Sequence, residues 1–307
     1  MKKLVIVVLT VLTTGVISAQ QDIQMTQFMF DKLSFNPGYA GSSNEFCATA
    51  FRRQQWTGFE GAPTTYLFNA HMPFNQHGVG LSIFQDEIGQ TSTLSLKGNY
   101  AYQLSNIGGG KLGLGVSIAY LSASLGNEWI AIQDIAQDDF IPDAATSDGT
   151  IDFGFGAYWH TRKVFLGLSS THLHEGELSE MNIETARHYY FTAGYEHDLN
   201  GTIDLIPSVL VKSDAATTQL DFNLRAEYKD MLWLGATYRL DDAISPIVGY
   251  RHELQQGRSA IRIGYSYDVT TSEISNYSTG THEIMLNFCM KLRKPLPDQI
   301  YKDVRFL

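Results

Sequence analysis

Cysteine is nearly absent from this 307-residue chain, which carries only Cys47 and Cys289. Two are too few for a secreted scaffold held together by several disulfides. Beyond residue 20 no apolar run reaches the ~20 residues that a spanning helix needs, which excludes a helical membrane protein. Positive charge is scarce too: 22 Lys and Arg stand against 32 Asp and Glu, a formal net charge of −10. Phosphate backbones are bound by clustered Lys and Arg, so nucleic acid is excluded as a partner. There is no Gly-x-Ser-x-Gly or other nucleophile motif, nor a Ser and His placed together as outer-membrane lipases place them. The chain reads as non-enzymatic and without a cofactor.

What is present begins with a secretion signal over residues 1–19. Lys2 and Lys3 precede the apolar run Leu4–Val16, and Ile17-Ser18-Ala19 offers a cleavage site before Gln20. The stretch Gln219–Tyr228 then sets the pattern for the remainder. Leu220, Phe222, Leu224, Ala226 and Tyr228 alternate with Gln219, Asp221, Asn223, Arg225 and Glu227. On a strand those two sets face opposite ways, one oily and one polar. The pattern recurs in fourteen segments: 46–53, 64–72, 77–85, 92–104, 110–124, 151–160, 162–171, 187–198, 201–212, 217–229, 231–241, 243–253, 258–270 and 280–292. An oily face repeated around a closed sheet needs lipid outside it, and the polar face needs a wet or protein-filled lumen.

The connections support this reading. Most of those after odd segments are long (54–63, 86–91, 125–150, 172–186, 271–279), those after the ninth and eleventh being brief exceptions, and those after even segments are short turns. Outer-membrane barrels pair long extracellular loops with short periplasmic turns around an even number of strands. The expectation is an all-β, transmembrane outer-membrane barrel of 14 antiparallel strands over residues 45–293, in contact with outer-membrane lipid. Residues 20–44 do not alternate and form a periplasmic or plug segment, and 294–307, opened by Pro295 and Pro297, form a periplasmic tail. Both termini are then expected in the periplasm.

Asn36-Pro37-Gly38-Tyr39-Ala40-Gly41 and Arg53-Gln54-Gln55-Trp56-Thr57-Gly58-Phe59-Glu60-Gly61-Ala62-Pro63 resemble two motifs of the PorP/SprF family of type IX secretion and gliding proteins. Gly38 stands where that family more often has Ala, a change expected to loosen the turn. The resemblance implies a component that supports secretion or surface anchoring of cargo such as adhesins. It also implies contact with the cargo's C-terminal region and with periplasmic parts of the machinery. A passive porin-like channel is the alternative, because the lumen face is polar.

Candidate sites follow. Phe28, Phe30, Phe35 and Tyr39 must be buried somewhere, in the lumen or against a partner, and Arg53, Trp56, Phe59 and Pro63 are candidates for cargo contact. Gly113, Gly115, Ser117, Gly154, Gly156 and Gly167 fall on one lumen wall, where they make room for a polypeptide or merely ease strand curvature. Asp134, Asp138, Asp139, Asp143 and Asp148 could hold calcium but fit no EF-hand spacing and read as a solvated acidic loop. His172, His174, Glu175 and Glu177 supply two metal ligands with no evident third, and no metal site is assigned. Barrel closure would make Cys47 and Cys289 neighbours, either as a disulfide clasp or as two unpaired residues.

Overall fold

The computed structural model describes residues 22, 24–126, 145–181 and 183–292. The signal at 1–19, the tail at 294–307 and four of the five loop aspartates lie outside these residues. Asp148 lies on a strand.

Fourteen antiparallel strands form one closed sheet. They are β1 Glu45–Gln54, β2 Thr64–Phe74, β3 His77–Ile88, β4 Thr91–Ile107, β5 Gly110–Leu125, β6 Thr146–His160 and β7 Val164–Thr171. The second half comprises β8 His188–Tyr195, β9 Ile203–Ser213, β10 Thr218–Tyr228, β11 Leu232–Arg239, β12 Ala243–Leu254, β13 Ser259–Thr270 and β14 Thr281–Lys291. Each strand pairs with its neighbours in sequence, and β1 pairs with β14 to shut the cylinder. His197–Asp198 prolongs the β8 edge against β9, and a two-residue hairpin, Glu177–Leu178 with Ile183–Glu184, sits in the β7–β8 connection.

Side-chain direction follows the alternation. On β10, Phe222 and Leu224 are 50% and 51% exposed on the outer wall, whereas Asp221 and Asn223 are buried inside. The outer wall carries Leu94, Leu96, Val116, Ile118, Phe153, Leu168, Leu234 and Leu286, an apolar surface that only lipid satisfies. A soluble sandwich would turn these residues inward.

One expectation changes. The supposed loop 86–91 is mostly strand, because β3 and β4 remain paired as far as Ile88 and Thr91. Only Gly89 and Gln90 make the turn, Gly89 with a φ of 57°. Strands of this length outrun the ~9–11 residues that cross the bilayer, so polar residues such as Asp86 and Glu87 stay on the ladder beyond the lipid. The described chain ends also lie at opposite mouths. Lys291 closes β14 beside Glu45, at the short-turn mouth. Asp22 instead contacts Thr171 and Tyr190 at the mouth that carries the long connections. The chain termini themselves lie outside the described residues.

Candidate functional site

The barrel interior is filled by the chain's own residues 25–42. All are buried except Phe30 and Tyr39, which are half-buried. The segment enters at the long-connection mouth, runs down the lumen, and leaves at the short-turn mouth to begin β1. Its only regular structure is two short 3₁₀ turns, Phe28–Phe30 and Pro37–Tyr39. With no neighbouring strand to pair with, its backbone polar groups are met partly by its own turns and partly by lumen side chains, as burial requires.

At the upper end Glu283 accepts the backbone N–H groups of Thr26 and Gln27, at 2.9 and 2.8 Å. The Thr26 hydroxyl donates to Asp268 at 2.8 Å. Arg53 donates to Asp268 at 2.8 Å and to Glu283 at 3.1 Å, and Arg239 joins Asp221 and Asp268 at 3.2 and 3.3 Å. Three buried carboxylates and the partly exposed Asp242, 3.2 Å from Arg239, therefore face two guanidinium groups, and the segment's own N–H and O–H donors help meet the excess negative charge.

In the middle, apolar contacts take over. Phe30 packs on Trp233 with ring centres 4.9 Å apart, and the Arg225 guanidinium lies 4.6 Å from the Phe30 ring centre. Phe35 stacks on Tyr190 at 5.4 Å. Phe28, Met29, Phe51, Leu67, Ile247 and Met285 complete this core. Lys32 donates to the Met29 carbonyl at 2.7 Å and lies over the Phe165 ring, and Lys97 donates to the Ser34 carbonyl at 2.8 Å.

At the lower end the Asn36–Gly41 motif meets the small-residue wall. Asn36 caps the second turn by accepting the Gly38 N–H at 2.9 Å, and its amide donates to the Ala157 carbonyl at 3.1 Å. A Cβ on Gly113 would lie 2.1 Å from the Gly38 carbonyl, and one on Gly115 would lie 2.3 Å from the Pro37 carbonyl carbon. A Cβ on Gly156 would lie 2.2 Å from the Asn36 side-chain oxygen, whereas one on Gly167 would meet Thr192 first, at 2.7 Å, and then the Asn36 amide. Ser117 and Gly154 lie deeper, where a Cβ on Gly154 would strike the Ser117 hydroxyl and not the segment. Gly38 itself has a role other than loosening: a Cβ there would come within 2.7 Å of the Gly113 carbonyl. Tyr39 sits edge-on to His71 and Tyr158, and Gln103 donates to the Ala40 carbonyl at 2.7 Å.

The loop candidates separate. Arg53 is 2% exposed and committed to the internal cluster, so the expectation that it faces cargo is replaced by a lumen role. Pro63 is buried as well. Trp56 is half-buried, with a φ of 46°, where the loop is stapled to the β13–β14 connection: Thr57 N–H donates to Gly280 and Thr279 N–H to Thr57. Of the four, Phe59 alone projects, 50% exposed. Cys47 and Cys289 form a disulfide across the β1–β14 seam. His174 faces outward against Phe153, and Glu175 pairs with Arg187 at 3.3 Å, so these two do not gather around His172.

Sequence reasoning missed the inward apolar residues Phe51, Leu67, Trp233, Ile247 and Met285. Their signal was available: each puts a large apolar side chain on a face whose neighbours are polar. It also missed a recess of about 180 Å³ at the short-turn mouth, lined by Lys32, Arg162, Lys163, Phe165, Glu196 and Arg225 among others.

These features define an outer-membrane β-barrel whose lumen is occupied by its own N-terminal segment. The model of the type IX secretion system membrane protein family PorP/SprF matches residues 17–288, and the chain belongs to that family. Among curated proteins none matches. Two solved structures share the fold. The CymD monoaromatic hydrocarbon channel is 11% identical, with a TM-score of 0.53, over 88% of this chain and 94% of the channel. The Pseudomonas putida toluene transporter TodX is 9% identical, with a TM-score of 0.53, over 90% of this chain and 96% of the transporter. At such identity the likeness concerns the fold alone. The chain is thus a barrel component of type IX secretion.

Proposed function

We propose that this protein works as a closed scaffold and not as a diffusion channel. In this reading it supports secretion or surface anchoring of type IX cargo such as adhesins, whose C-terminal region engages the long-connection mouth. Periplasmic components of the machinery engage the short-turn mouth. The observation that carries the reading is the filled lumen. A segment bound at its upper end by four buried charged groups and seated at its lower end on bare backbone occupies the space that a diffusion channel would need to keep open. Family membership supplies the secretion pathway, and the recess at the short-turn mouth offers a mixed-charge surface to a periplasmic protein. Long connections belong outside and short turns in the periplasm. Asp22 then faces the exterior and the end of β14 the periplasm.

Planar-bilayer recording tests the reading. The native protein is expected to be silent, whereas a large steady current would restore the porin alternative. Co-purification from native membranes with mass spectrometry tests the partners: recovery of periplasmic secretion components and a secreted adhesin is expected, and a barrel recovered alone would defeat the scaffold role.

A further inference from the structure

At the long-connection mouth, Asp22, His172 and His188 converge from three parts of the chain. Each offers one ligand atom, and these atoms lie within 4.8 Å of one another. We propose that they form a binding site for a divalent transition metal of the zinc class, which clips the upper end of the lumen segment to the barrel rim.

Three observations carry this beyond proximity. His172 Nε2 lies 3.6 Å from Asp22 Oδ2, long for a hydrogen bond. It is close to the ~3.3 Å that separates two tetrahedral ligands with zinc bonds of about 2.0–2.1 Å. Each imidazole also has an oxygen close to its other nitrogen, the place where metal-bound histidines carry a second partner. Asp152 Oδ2 lies 3.1 Å from His172 Nδ1, and His188 Nδ1 is 2.8 Å from the Ala186 carbonyl, an acceptor that makes this nitrogen the protonated one and leaves Nε2 with its lone pair. Finally, His172 holds a φ of 54°, an uncommon conformation for a non-glycine residue, and its ring is directed inward, 5.8 Å from that of His188.

Two imidazoles and a carboxylate suit zinc, with a fourth position for water. The rim donors Thr171 and Tyr190, which hydrogen-bond Asp22 Oδ2, orient the carboxylate. This site stands independently of the scaffold reading. A metal could clip the segment whether the barrel carries cargo or not.

The test uses full-length protein purified from membranes without a polyhistidine tag. Elemental analysis after dialysis against micromolar ZnCl₂ is expected to find one zinc per barrel. Stripped protein titrated with Co²⁺ is expected to show the visible bands of a tetrahedral nitrogen–oxygen site. Asp22→Asn and His188→Gln should each weaken zinc binding by at least tenfold, and Asp152→Asn by roughly 10–100-fold. Retained heat-modifiable migration on gels establishes that each variant is a folded barrel. Should the folded native protein hold no stoichiometric zinc, or the folded variants bind as well as native, the proposal is overturned and the cluster is a protonated His172 held between Asp22 and Asp152.

Discussion

Glu283 on β14 is the receptor for the backbone of Thr26: the Thr26 N–H donates to its carboxylate at 2.9 Å, with Arg53 donating to the same oxygen at 3.1 Å. Two residues 257 positions apart in sequence thereby fix where the lumen segment begins its descent. Glu283→Ala removes an acceptor from two backbone donors and leaves Arg53 with one carboxylate fewer. Breaking such a buried group costs about 3–5 kcal/mol. The expected outcome is a segment cleaved by added protease and discrete channel openings in planar bilayers, neither of which is expected of the native protein.

Gly115 tests the lower end. Its missing Cβ is replaced by the Pro37–Gly38 peptide, with Pro37 carbonyl carbon at 2.3 Å from where the Cβ would stand. Gly115→Leu cannot coexist with the seated turn, because the obstacle is backbone and cannot rotate aside. The strand itself tolerates leucine, so the barrel should still form, with normal heat-modifiability and raised conductance.

The Cys47–Cys289 disulfide closes the seam between the first and last strands over a separation of 242 residues. A link across so long a loop stabilises by about 3–5 kcal/mol, chiefly by restricting the unfolded chain. The Cys47→Ser, Cys289→Ser double variant should unfold at lower denaturant concentration than native protein in detergent. Dithiothreitol should lower the native midpoint and leave that of the variant unchanged.

Phe222 faces the lipid from the strand whose Asp221 and Asn223 face inward. Phe222→Arg places a charge in the acyl layer, a loss of about 2–4 kcal/mol near the midplane. Equilibrium unfolding in lipid vesicles should register that loss, whereas Glu60→Arg in the exposed first loop should leave stability within about 0.5 kcal/mol of native.

Phe59 projects from a loop otherwise stapled in place. On the scaffold reading, Phe59→Ser should reduce surface-attached cargo severalfold, measured on intact cells, with barrel amount and stability unchanged. Unaltered cargo display would remove this loop from the contact.

The barrel was legible because its solvent imposes a rule on single residues. Lipid demands an apolar side chain at every second position, and Leu220, Phe222 and Leu224 obey it whatever lies across the lumen. Strand ends were less legible at β3 and β4: beyond the bilayer the rule lapses, and Asp86 and Glu87 read as a loop although they remain paired. The inward-facing Trp233 and Met285 show why the lumen was harder still. Inside, each position answers to a particular neighbour, Phe30 for Trp233 and the Phe28–Met29 core for Met285, and those neighbours come from far along the chain.

The amino-acid sequence by itself determined the strand count, the face each strand turns to lipid and the small-residue wall, because these follow from period and residue size alone. Only the tertiary structure decided that the wall receives Asn36–Gly38, that Arg53 belongs to the lumen and not to the loop, that the two cysteines are joined, and that Asp22 lies at the opposite mouth from the end of β14. Each of these depends on which distant groups the closed cylinder brings within hydrogen-bond or bonding distance, and closure is a property of the whole sheet that no single segment encodes.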